Sequence, residues 1–406
     1  MNKPELLAPA GNLEKLEMAL AYGADAVYCG GTAYGLRTRA GNFTLDELAK
    51  GITLAHGLGK RVYVTVNIIP HNDDLIGLDD YLKQLAEIKV DALIVSDPGI
   101  LTIAQRAVPG MELHFSTQAS VTNWATSQFW FDHGVRRIVL ARELSLAEIS
   151  DVVSKTSGEI ETFIHGAMCI SYSGRCLLSS YMTGRDANRG DCAQACRWNY
   201  HLVEETRPGQ YMPVFEDEQG THIMNSKDLC LIEHVPDLVE AGIHAFKIEG
   251  RMKSVHYVAT VTKVYREAID HYCADPAGYR FNPSWLDEIA KASHRDYTTG
   301  FYFQQPGADA HNYASSLYKR PVDFVGVVRA SEGGFLTIEQ RNNFRVGEKL
   351  ELVGPTSAPR EIVITAMTDS EGTRIEVAPH AQMLVHVPYE GAVEPYAMLR
   401  RVKASD

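Results

Sequence analysis

The chemistry that this sequence could support is most visible in its cysteines, because five of the seven fall within residues 167–243. These five are Cys169, Cys176, Cys192, Cys196 and Cys230. Four thiolates of this kind suit an iron–sulfur cluster or a structural zinc ion. Six residues separate the first two cysteines, which is wider than the spacing typical of zinc fingers and ribbons. Spacing alone therefore favours a cluster over zinc, and it leaves ordinary buried thiols as an alternative.

Charged side chains at the ends of short apolar runs form a second candidate site. Arg142 and Glu143 end one run, Lys247 lies near the end of another, Arg251 follows it, and Arg37 lies in a glycine-rich loop. A guanidinium group can bind a carboxylate through two parallel hydrogen bonds, so these residues could hold a dicarboxylate. Structural ion pairs at the ends of the strands are the alternative interpretation.

Two uncharged polar residues are further candidates for substrate contacts. Gln118 ends the run 112–118, and His165 lies near the end of the run 161–166, four residues before Cys169. A histidine can shuttle protons near neutral pH, although a structural hydrogen-bonding role is the simpler interpretation here.

These residues need a scaffold, and the first 250 positions contain eight short apolar runs. The runs span residues 5–10, 25–30, 61–67, 91–97, 112–118, 137–143, 161–166 and 244–250. Helix patterns lie between them, some begun by capping boxes such as Thr44 with Glu47 and Ser145 with Glu148. Strands that alternate with helices, without hairpin signals, are typical of a parallel sheet. Eight such units favour a closed β/α (TIM-like) barrel, whose chemistry lies at the carboxyl ends of the strands.

An open, doubly wound sheet is the alternative architecture, but its first turn would carry a GxGxxG fingerprint. Residues 8–12 read APAGN instead. We therefore assign residues 1–319 to the barrel, with the cysteine-rich segment 167–243 inserted after the seventh strand. A long helix is expected from Ser254 to about Tyr272, followed by a helix-poor stretch. From residue 320 to 406, short alternating runs separated by turn residues predict a small all-β barrel domain.

Composition sets outer limits on these assignments. With 45% hydrophobic and 22% charged residues the chain is typical of globular proteins. It has neither a signal-peptide pattern nor an apolar stretch of about 18 residues, so we expect a cytoplasmic protein without a membrane segment. A net charge of −12 argues against a general nucleic-acid binder, although a local basic patch could still contact RNA. Candidates for such a patch are Arg185, Arg189, Arg197, Trp198 and Tyr200.

Several motifs resemble those of a known family. Residues 161–179 read ETFIHGAMCISYSGRCLLS, residues 5–12 read ELLAPAGN, residues 116–124 read STQASVTNW and residues 247–253 read KIEGRMK. These blocks resemble the collagenase-like (U32) peptidase family over nearly the whole chain, the β domain included. The domain arrangement is similar to the family's branch of prephenate-dependent tRNA uridine hydroxylases (TrhP type). Sister branches hydroxylate a ribosomal RNA cytidine or a quinone precursor without dioxygen.

The resemblance implies hydroxylation at carbon 5 of the wobble uridine in a tRNA anticodon loop, with prephenate as the hydroxyl source. Prephenate is a dicarboxylate, which suits the arginines described above. The resemblance also implies a [4Fe–4S] cluster held by Cys169, Cys176, Cys192 and Cys230, with Cys196 as the alternative to Cys192. The peptidase label of the family finds no support in motifs, since HExxH and GxSxG are both missing.

Overall fold

Strands and helices alternate from the N-terminus, as the apolar runs predict. The structure, a computed structural model, describes residues 2–35, 42–169, 175–197, 202–203, 211–212, 215–217, 220–222, 227–304 and 318–403. The first elements are β1 (Glu5–Pro9), α1 (Leu13–Ala21), β2 (Ala26–Gly30), α2 (Leu45–Gly57), β3 (Arg61–Val66), α3 (Leu78–Glu87), β4 (Ala92–Val95), α4 (Pro98–Ala107), β5 (Glu112–Phe115), α5 (Trp124–Asp132), β6 (Arg137–Val139), α6 (Leu146–Lys155) and β7 (Glu159–Ala167).

The cysteine-rich segment contains short elements, and regular strands and helices resume after it. Within the segment lie α7 (Leu178–Thr183), β8 (Leu202–Val203), β9 (Tyr211–Met212), β10 (Phe215–Asp217), β11 (Gly220–His222), β12 (Asp228–Cys230) and α8 (Val235–Glu240). The elements that follow are β13 (Ala245–Ile248), α9 (Val255–Ala274), α10 (Pro283–Ala290) and β14 (Tyr297–Thr298).

Eight parallel strands close into a barrel, which confirms the predicted fold class. Strands β1 to β7 pair in chain order, and β13 pairs with both β7 and β1. One feature was not expected from the sequence: β12 runs antiparallel to β7, with Cys230 opposite His165. This pairing attaches the end of the cysteine-rich segment to the barrel wall.

The predicted capping residues begin their helices. Capping boxes of Thr44 with Glu47 and of Ser145 with Glu148 begin α2 and α6. Asn12 caps α1. The stretch after α9 was expected to be poor in helix, yet it contains α10, which an asparagine and a proline begin. In the described part of the chain, no helix is both long and apolar enough to cross a membrane.

The barrel interior is apolar on one side and charged on the other. Alternate residues of β1 to β4 face inward, and Leu7, Tyr28, Tyr63 and Ile94 are members of one buried cluster. Their neighbours along each strand pack against the helices in the larger core. On the opposite side, Glu161 of β7 occupies the interior and is fully buried.

The C-terminal domain is all β, as predicted. Its strands are β15 (Val322–Glu332), β16 (Phe335–Gln340), β17 (Phe344–Arg345), β18 (Lys349–Val353), β19 (Arg360–Val363), β20 (Met367–Asp369), β21 (Arg374–Ile375), β22 (Val377–Ala378), β23 (Leu384–Pro388) and β24 (Met398–Val402). Eight of them form an antiparallel sheet in the order β19-β18-β24-β15-β16-β23-β20-β21. The two edge strands do not pair with each other among the described residues, so the sheet is a half-barrel.

The C-terminal domain packs directly on the barrel. The hydroxyl group of Tyr22 on α1 lies 3.0 Å from the carbonyl oxygens of Val353 and Tyr396. Met18 of α1 and Met398 of β24 belong to one buried cluster. These contacts hold the C-terminal domain against α1 on the outside of the barrel.

Candidate functional site

A cavity of about 900 Å³ opens at the carboxyl ends of the barrel strands. Strand ends such as Thr65, Phe163 and Lys247 form its floor, the cysteine-rich segment forms one wall, and the C-terminal domain forms another. We call this space the mouth cavity. Its volume is within the range of small-molecule binding sites, and its position is where β/α barrels carry their chemistry.

Arg142 follows β6, and its side chain lines the mouth cavity. Its Nη1 atom donates a hydrogen bond to the carbonyl oxygen of Ala167 at 2.6 Å. Its guanidinium carbon lies 3.9 Å from the centre of the Phe163 ring, which fixes the plane of the group. The buried Nε atom has no hydrogen-bond partner among the described residues. A buried donor left unsatisfied beside a cavity is what we expect where a ligand completes the hydrogen bonding.

Lys247 of β13 lies at the cavity floor and is paired with a carboxylate. Its Nζ atom lies 2.7 Å from Oε1 of Glu161, and their side chains are 5% and 0% exposed. The same Nζ atom lies 4.4 Å from the centre of the Tyr28 ring. Burial alone would raise the pKa of Glu161, but Lys247 and Arg137 hold that pKa below its usual value. Glu161 therefore stays ionised, and its carboxylate holds the Nζ atom of Lys247 in place.

Arg251 is buried in the cavity wall and contacts uncharged partners. Nη1 donates to Oγ1 of Thr65 at 3.3 Å, and Nη2 donates to Oδ1 of Asn42 at 2.9 Å. A Cβ atom on residue 30 would lie 2.3 Å from Nη2 of Arg251, so a larger residue in place of Gly30 would displace the guanidinium group. These contacts fix the guanidinium group between β2 and β3.

Gln118 also lines the mouth cavity, in a cluster of polar residues that follow β3 and β5. Its Oε1 atom accepts hydrogen bonds from Nδ2 of Asn67 at 3.1 Å and from the hydroxyl group of Ser116. All three side chains line the cavity, so this cluster can contact the polar edge of a substrate.

Two charged candidates are not among the described residues that line the mouth cavity. Arg37 lies outside the described residues. Glu143 follows Arg142 in the chain, but among the described residues it is not one of those that line the cavity. Burial raises the pKa of Glu143 above its usual value, while the charge of Arg142 acts in the opposite direction.

His165 is buried on β7, outside the mouth cavity. Lys247 pairs with Phe163 and the next β13 residue pairs with His165, so β7 contains one extra residue at this point. This bulge turns His165 away from the interior and toward Tyr265, whose hydroxyl oxygen lies 3.4 Å from its Nδ1 atom. Burial lowers the pKa of His165 to about 3, so the imidazole is neutral at physiological pH.

Four of the candidate cysteines line the mouth cavity together: Cys169, Cys176, Cys192 and Cys196. Backbone and side-chain amide groups donate hydrogen bonds to two of these cysteines. The backbone N–H of Gln194 donates to the sulfur of Cys192 at 3.3 Å, and Nδ2 of Asn188 donates to the carbonyl oxygen of Cys176 at 3.0 Å. Donors aimed at cysteine sulfurs are a feature of iron–sulfur sites.

Cys230 differs from these four because it is 8% exposed and is not among the described residues that line the cavity. It lies opposite His165 on β7. His165 precedes Cys169 by four residues in the chain. Burial raises the pKa of the Cys230 thiol to about 12. In the part of the chain that the structure describes, no group of three or more His, Cys, Asp or Glu residues could hold a metal ion. The predicted ligand set therefore stays a prediction.

The mouth cavity is basic although the chain as a whole is acidic. Among the described residues, eight Lys and Arg side chains line it against three Asp and Glu side chains, in a chain of net charge −12. Such a concentration of positive charge in a concave site attracts anionic ligands.

The residues expected to contact RNA are placed only in part. Nη2 of Arg185 lies 2.8 Å from Asp191, and Nη2 of Arg189 lies 2.6 Å from Asp74. The side chains of Arg197, Trp198 and Tyr200 lie outside the described residues.

Sequence reasoning missed the aromatic lining of the cavity. Tyr28, Phe163, Tyr318 and Phe324 all line it, and the hydroxyl oxygen of Tyr28 lies 3.0 Å from Oε2 of Glu249. An aromatic residue inside an apolar run is read as core, so the sequence carries no signal for the first two. The other two reach the cavity only through the packing of the C-terminal domain.

The fold and site define a closed β/α barrel with a basic, cysteine-lined mouth that a second, all-β domain helps to enclose. The chain belongs to peptidase family U32. The family model matches residues 11–312, and the model of the family's C-terminal domain matches residues 320–400. This confirms the resemblance seen in the sequence motifs.

Three relatives of this chain have names that indicate an action on RNA. The "tRNA hydroxylation protein P1" of Bacillus subtilis is 46% identical over 99% of this chain and 95% of its own length. The "tRNA hydroxylation protein P" of Escherichia coli is 41% identical over 99% of this chain and 97% of its own length. The "23S rRNA 5-hydroxycytidine C2501 synthase" of Escherichia coli is 41% identical over 66% of this chain and 39% of its own length.

Proposed function

We propose that this protein is a tRNA-modifying enzyme that hydroxylates the wobble uridine at carbon 5, with prephenate as the hydroxyl source. The observation that carries the proposal is the charge of the mouth cavity, where eight basic residues face three acidic ones. Both tRNA and prephenate are anions, and a basic cavity in an acidic protein concentrates anions at one place. The names of the two nearly full-length relatives supply the class of reaction.

Arg142 is the proposed anchor for one carboxylate of prephenate. Its position against Phe163 leaves the buried Nε donor unsatisfied, and a carboxylate is the acceptor that a guanidinium group binds best. Arg251 and Lys247 line the same cavity and are the candidates for the second carboxylate. Arg37 remains a candidate on its position in the glycine-rich loop of the sequence.

The uridine base must leave the stack of the anticodon loop to reach this cavity. The floor offers a surface for such a base, because the rings of Tyr28 and Phe163 line it beside the polar cluster at Gln118. A volume of about 900 Å³ accommodates a nucleobase together with a small dicarboxylate.

A [4Fe–4S] cluster is proposed to be held by Cys169, Cys176, Cys192 and Cys230. The residues present are compatible with such a group, since three of these thiols line one cavity and a backbone N–H points at the sulfur of Cys192. Cys230 lies on β12, opposite His165 of β7, and His165 precedes Cys169 by four residues. When bound, such a cluster supplies one-electron redox chemistry at the cavity mouth.

A sister activity on ribosomal RNA or on a quinone precursor is the alternative, and a peptidase activity is a more distant one. The rRNA-modifying relative matches 66% of this chain, whereas the two tRNA-modifying relatives match 99%, the C-terminal domain included. The matches over nearly the whole chain support the tRNA substrate.

The test is mass spectrometry of tRNA and rRNA nucleosides from a strain that lacks every enzyme producing 5-hydroxyuridine. Complementation with the wild-type gene should restore 5-hydroxyuridine and its derivatives in tRNA. Complementation with the Arg142→Ala variant should restore much less, at equal protein level.

Two outcomes would contradict the proposal. Failure of the wild-type gene to restore the nucleoside would exclude tRNA uridine as the substrate. Appearance of a hydroxylated cytidine in rRNA, with tRNA unchanged, would establish the sister activity instead.

A further inference from the structure

Three apolar side chains stand exposed beside the mouth cavity, and we call them the α7 patch. Leu177 is 72% exposed, Tyr181 is 87% exposed and Met182 is 38% exposed. Leu177 and Tyr181 are four residues apart, so they lie on the same face of the helix. Leu178 and Ser179 of the same helix line the cavity. The patch therefore lies on the rim of the site, turned to the outside.

A large aromatic ring at this level of exposure indicates a binding surface when it adjoins a site. A second copy of the chain is a poor occupant, because three side chains cover only a few hundred Å², whereas a stable interface buries about 1,200 Å² or more. The chemistry nearby points elsewhere: Arg175 is exposed two residues before Leu177, and the adjoining cavity is strongly basic.

We propose that the α7 patch stacks an unpaired base of the tRNA anticodon loop while a neighbouring nucleotide enters the mouth cavity. This inference rests on the proposed function and adds a second contact surface for the anticodon loop, outside the mouth cavity. Single-stranded RNA combines flat apolar bases with an anionic backbone, which matches an exposed Tyr181 ring beside Arg175 and the basic cavity. Stacking accepts any base, so the patch contributes affinity and position rather than sequence choice.

The experiment measures equilibrium binding of an unmodified tRNA transcript with a wobble uridine to the full-length protein. Tyr181→Ala should weaken binding about five- to a hundredfold, the range that loss of one base stack produces. Tyr181→Phe keeps the ring and should bind within about twofold of wild type. Phe129→Ala is the matched control, since Phe129 is also an exposed aromatic residue, on the outer helix α5.

Salt dependence separates stacking from charge. Tyr181→Ala removes no charge, so the slope of log affinity against log salt should equal that of wild type. Arg175→Ala should reduce the slope by about 0.7 if Arg175 contacts a single-stranded phosphate. A variant that merely unfolds in this segment would lose affinity and would also reduce the slope, because Arg175 would be displaced together with Tyr181.

Unchanged tRNA affinity in Tyr181→Ala, with wild-type protein binding the transcript, would overturn this inference and leave the proposed function intact. No binding of tRNA by wild-type protein would overturn both. Loss of a wild-type dimer in Tyr181→Ala, with tRNA affinity unchanged, would assign the patch to a second copy of the chain instead.

Discussion

Arg142 differs from the other cations of the mouth cavity in how it is held. Lys247 is paired with a buried carboxylate, and Arg251 donates to the side chains of Thr65 and Asn42. Arg142 is fixed by a carbonyl oxygen and an aromatic ring, with a buried donor left over. Neither of these two partners is acidic, so the charge of Arg142 is available to a carboxylate ligand.

We expect Arg142→Ala to weaken prephenate binding about ten- to a hundredfold, because a charge-assisted hydrogen bond to a desolvated arginine is worth roughly 1.5–3 kcal/mol. Arg142→Lys keeps the charge but lacks the forked pair of donors, so its affinity for prephenate should lie between those of wild type and Arg142→Ala. Calorimetric titration of prephenate into each variant measures the effect.

Arg136→Ala provides the control, since Arg136 precedes β6 at the opposite end of the strand and is paired with Glu159. It should bind prephenate as wild type does. Equal affinity in wild type and in a correctly folded Arg142→Ala would move the binding site to another part of the cavity wall.

The position of a residue at a strand end correctly predicted four of the cavity-lining residues. Its failure at His165 has a local structural cause. It indicated Arg142, Lys247, Arg251 and Gln118, all of which line the cavity. It also indicated His165, which an extra β7 residue turns to the outer side. A bulge depends on the register between two strands, and one strand's sequence does not contain that register.

At the scale of elements, β7 positions the start of the cysteine-rich segment. It is nine residues long, pairs with β6, β13 and β12, and ends two residues before Cys169. Because β12 lies along the same strand, Cys230 is held next to the start of the cysteine-rich segment. The placement makes Cys196 and Cys230 the informative pair for the ligand set.

Protein purified without oxygen should be brown, with absorbance near ~400 nm and bound iron and sulfide. Alanine substitution of Cys169, Cys176, Cys192 or Cys230 should remove the iron, because each deletes one ligand. Cys196→Ala should retain it, and it serves as the matched control because Cys196 lines the same cavity. Iron and acid-labile sulfide per chain are the quantities to measure.

Iron lost in Cys196→Ala but kept in Cys230→Ala would show that the four cavity-lining cysteines are the ligands. One zinc ion per chain, with no iron or sulfide in the anaerobic protein, would refute the cluster altogether.

The elements that repeat were predictable, and those without a repeat were not. Eight apolar runs with helices between them predict a barrel because the same pattern of strand and helix recurs in every unit. β12 has three residues, too few for a pattern, and its antiparallel partner lies far away in the chain. The short helix α10 was missed although Asn282 and Pro283 are typical first residues of a helix.

For the molecule as a whole, the join between barrel and C-terminal domain depends on buried charge. Arg400 of β24 is fully buried, and two of its nitrogen atoms lie 2.6 and 2.8 Å from the carboxylate of Glu288 on α10. Its Nε atom lies 2.7 Å from Glu351. A guanidinium group held on both sides in this way fixes the orientation of the domain, and with it one wall of the mouth cavity.

We expect Arg400→Ala to destabilise the protein by roughly 3 kcal/mol, because it leaves two partly buried carboxylates without a partner. Burial alone would raise the pKa of Glu288, but hydrogen bonds and charge from Arg400 hold it below the usual value. A group with a lowered pKa stabilises the folded state above its unfolded pKa, and this stabilisation is lost as the pH falls. The difference from wild type should therefore shrink below about pH 4.

Chemical unfolding of both proteins across this pH range measures the effect. Lys349→Ala is the control, since its ion pair with Glu361 is 69% and 60% exposed and should contribute little. A stability difference that persists unchanged at low pH would show that the loss comes from packing rather than from charge.

The cluster that joins Met18 on α1 to Met398 on β24 has a consequence for the chain while it is being synthesised. β13 must leave the ribosome before the barrel can close, because it pairs with both β1 and β7. Even then, Met18 and Tyr22 stay uncovered until β24 has been made, since Met398 belongs to the cluster that buries them. A nascent chain in which β24 is not yet made thus leaves part of this apolar cluster exposed, and such exposed apolar surface makes incomplete chains prone to aggregation.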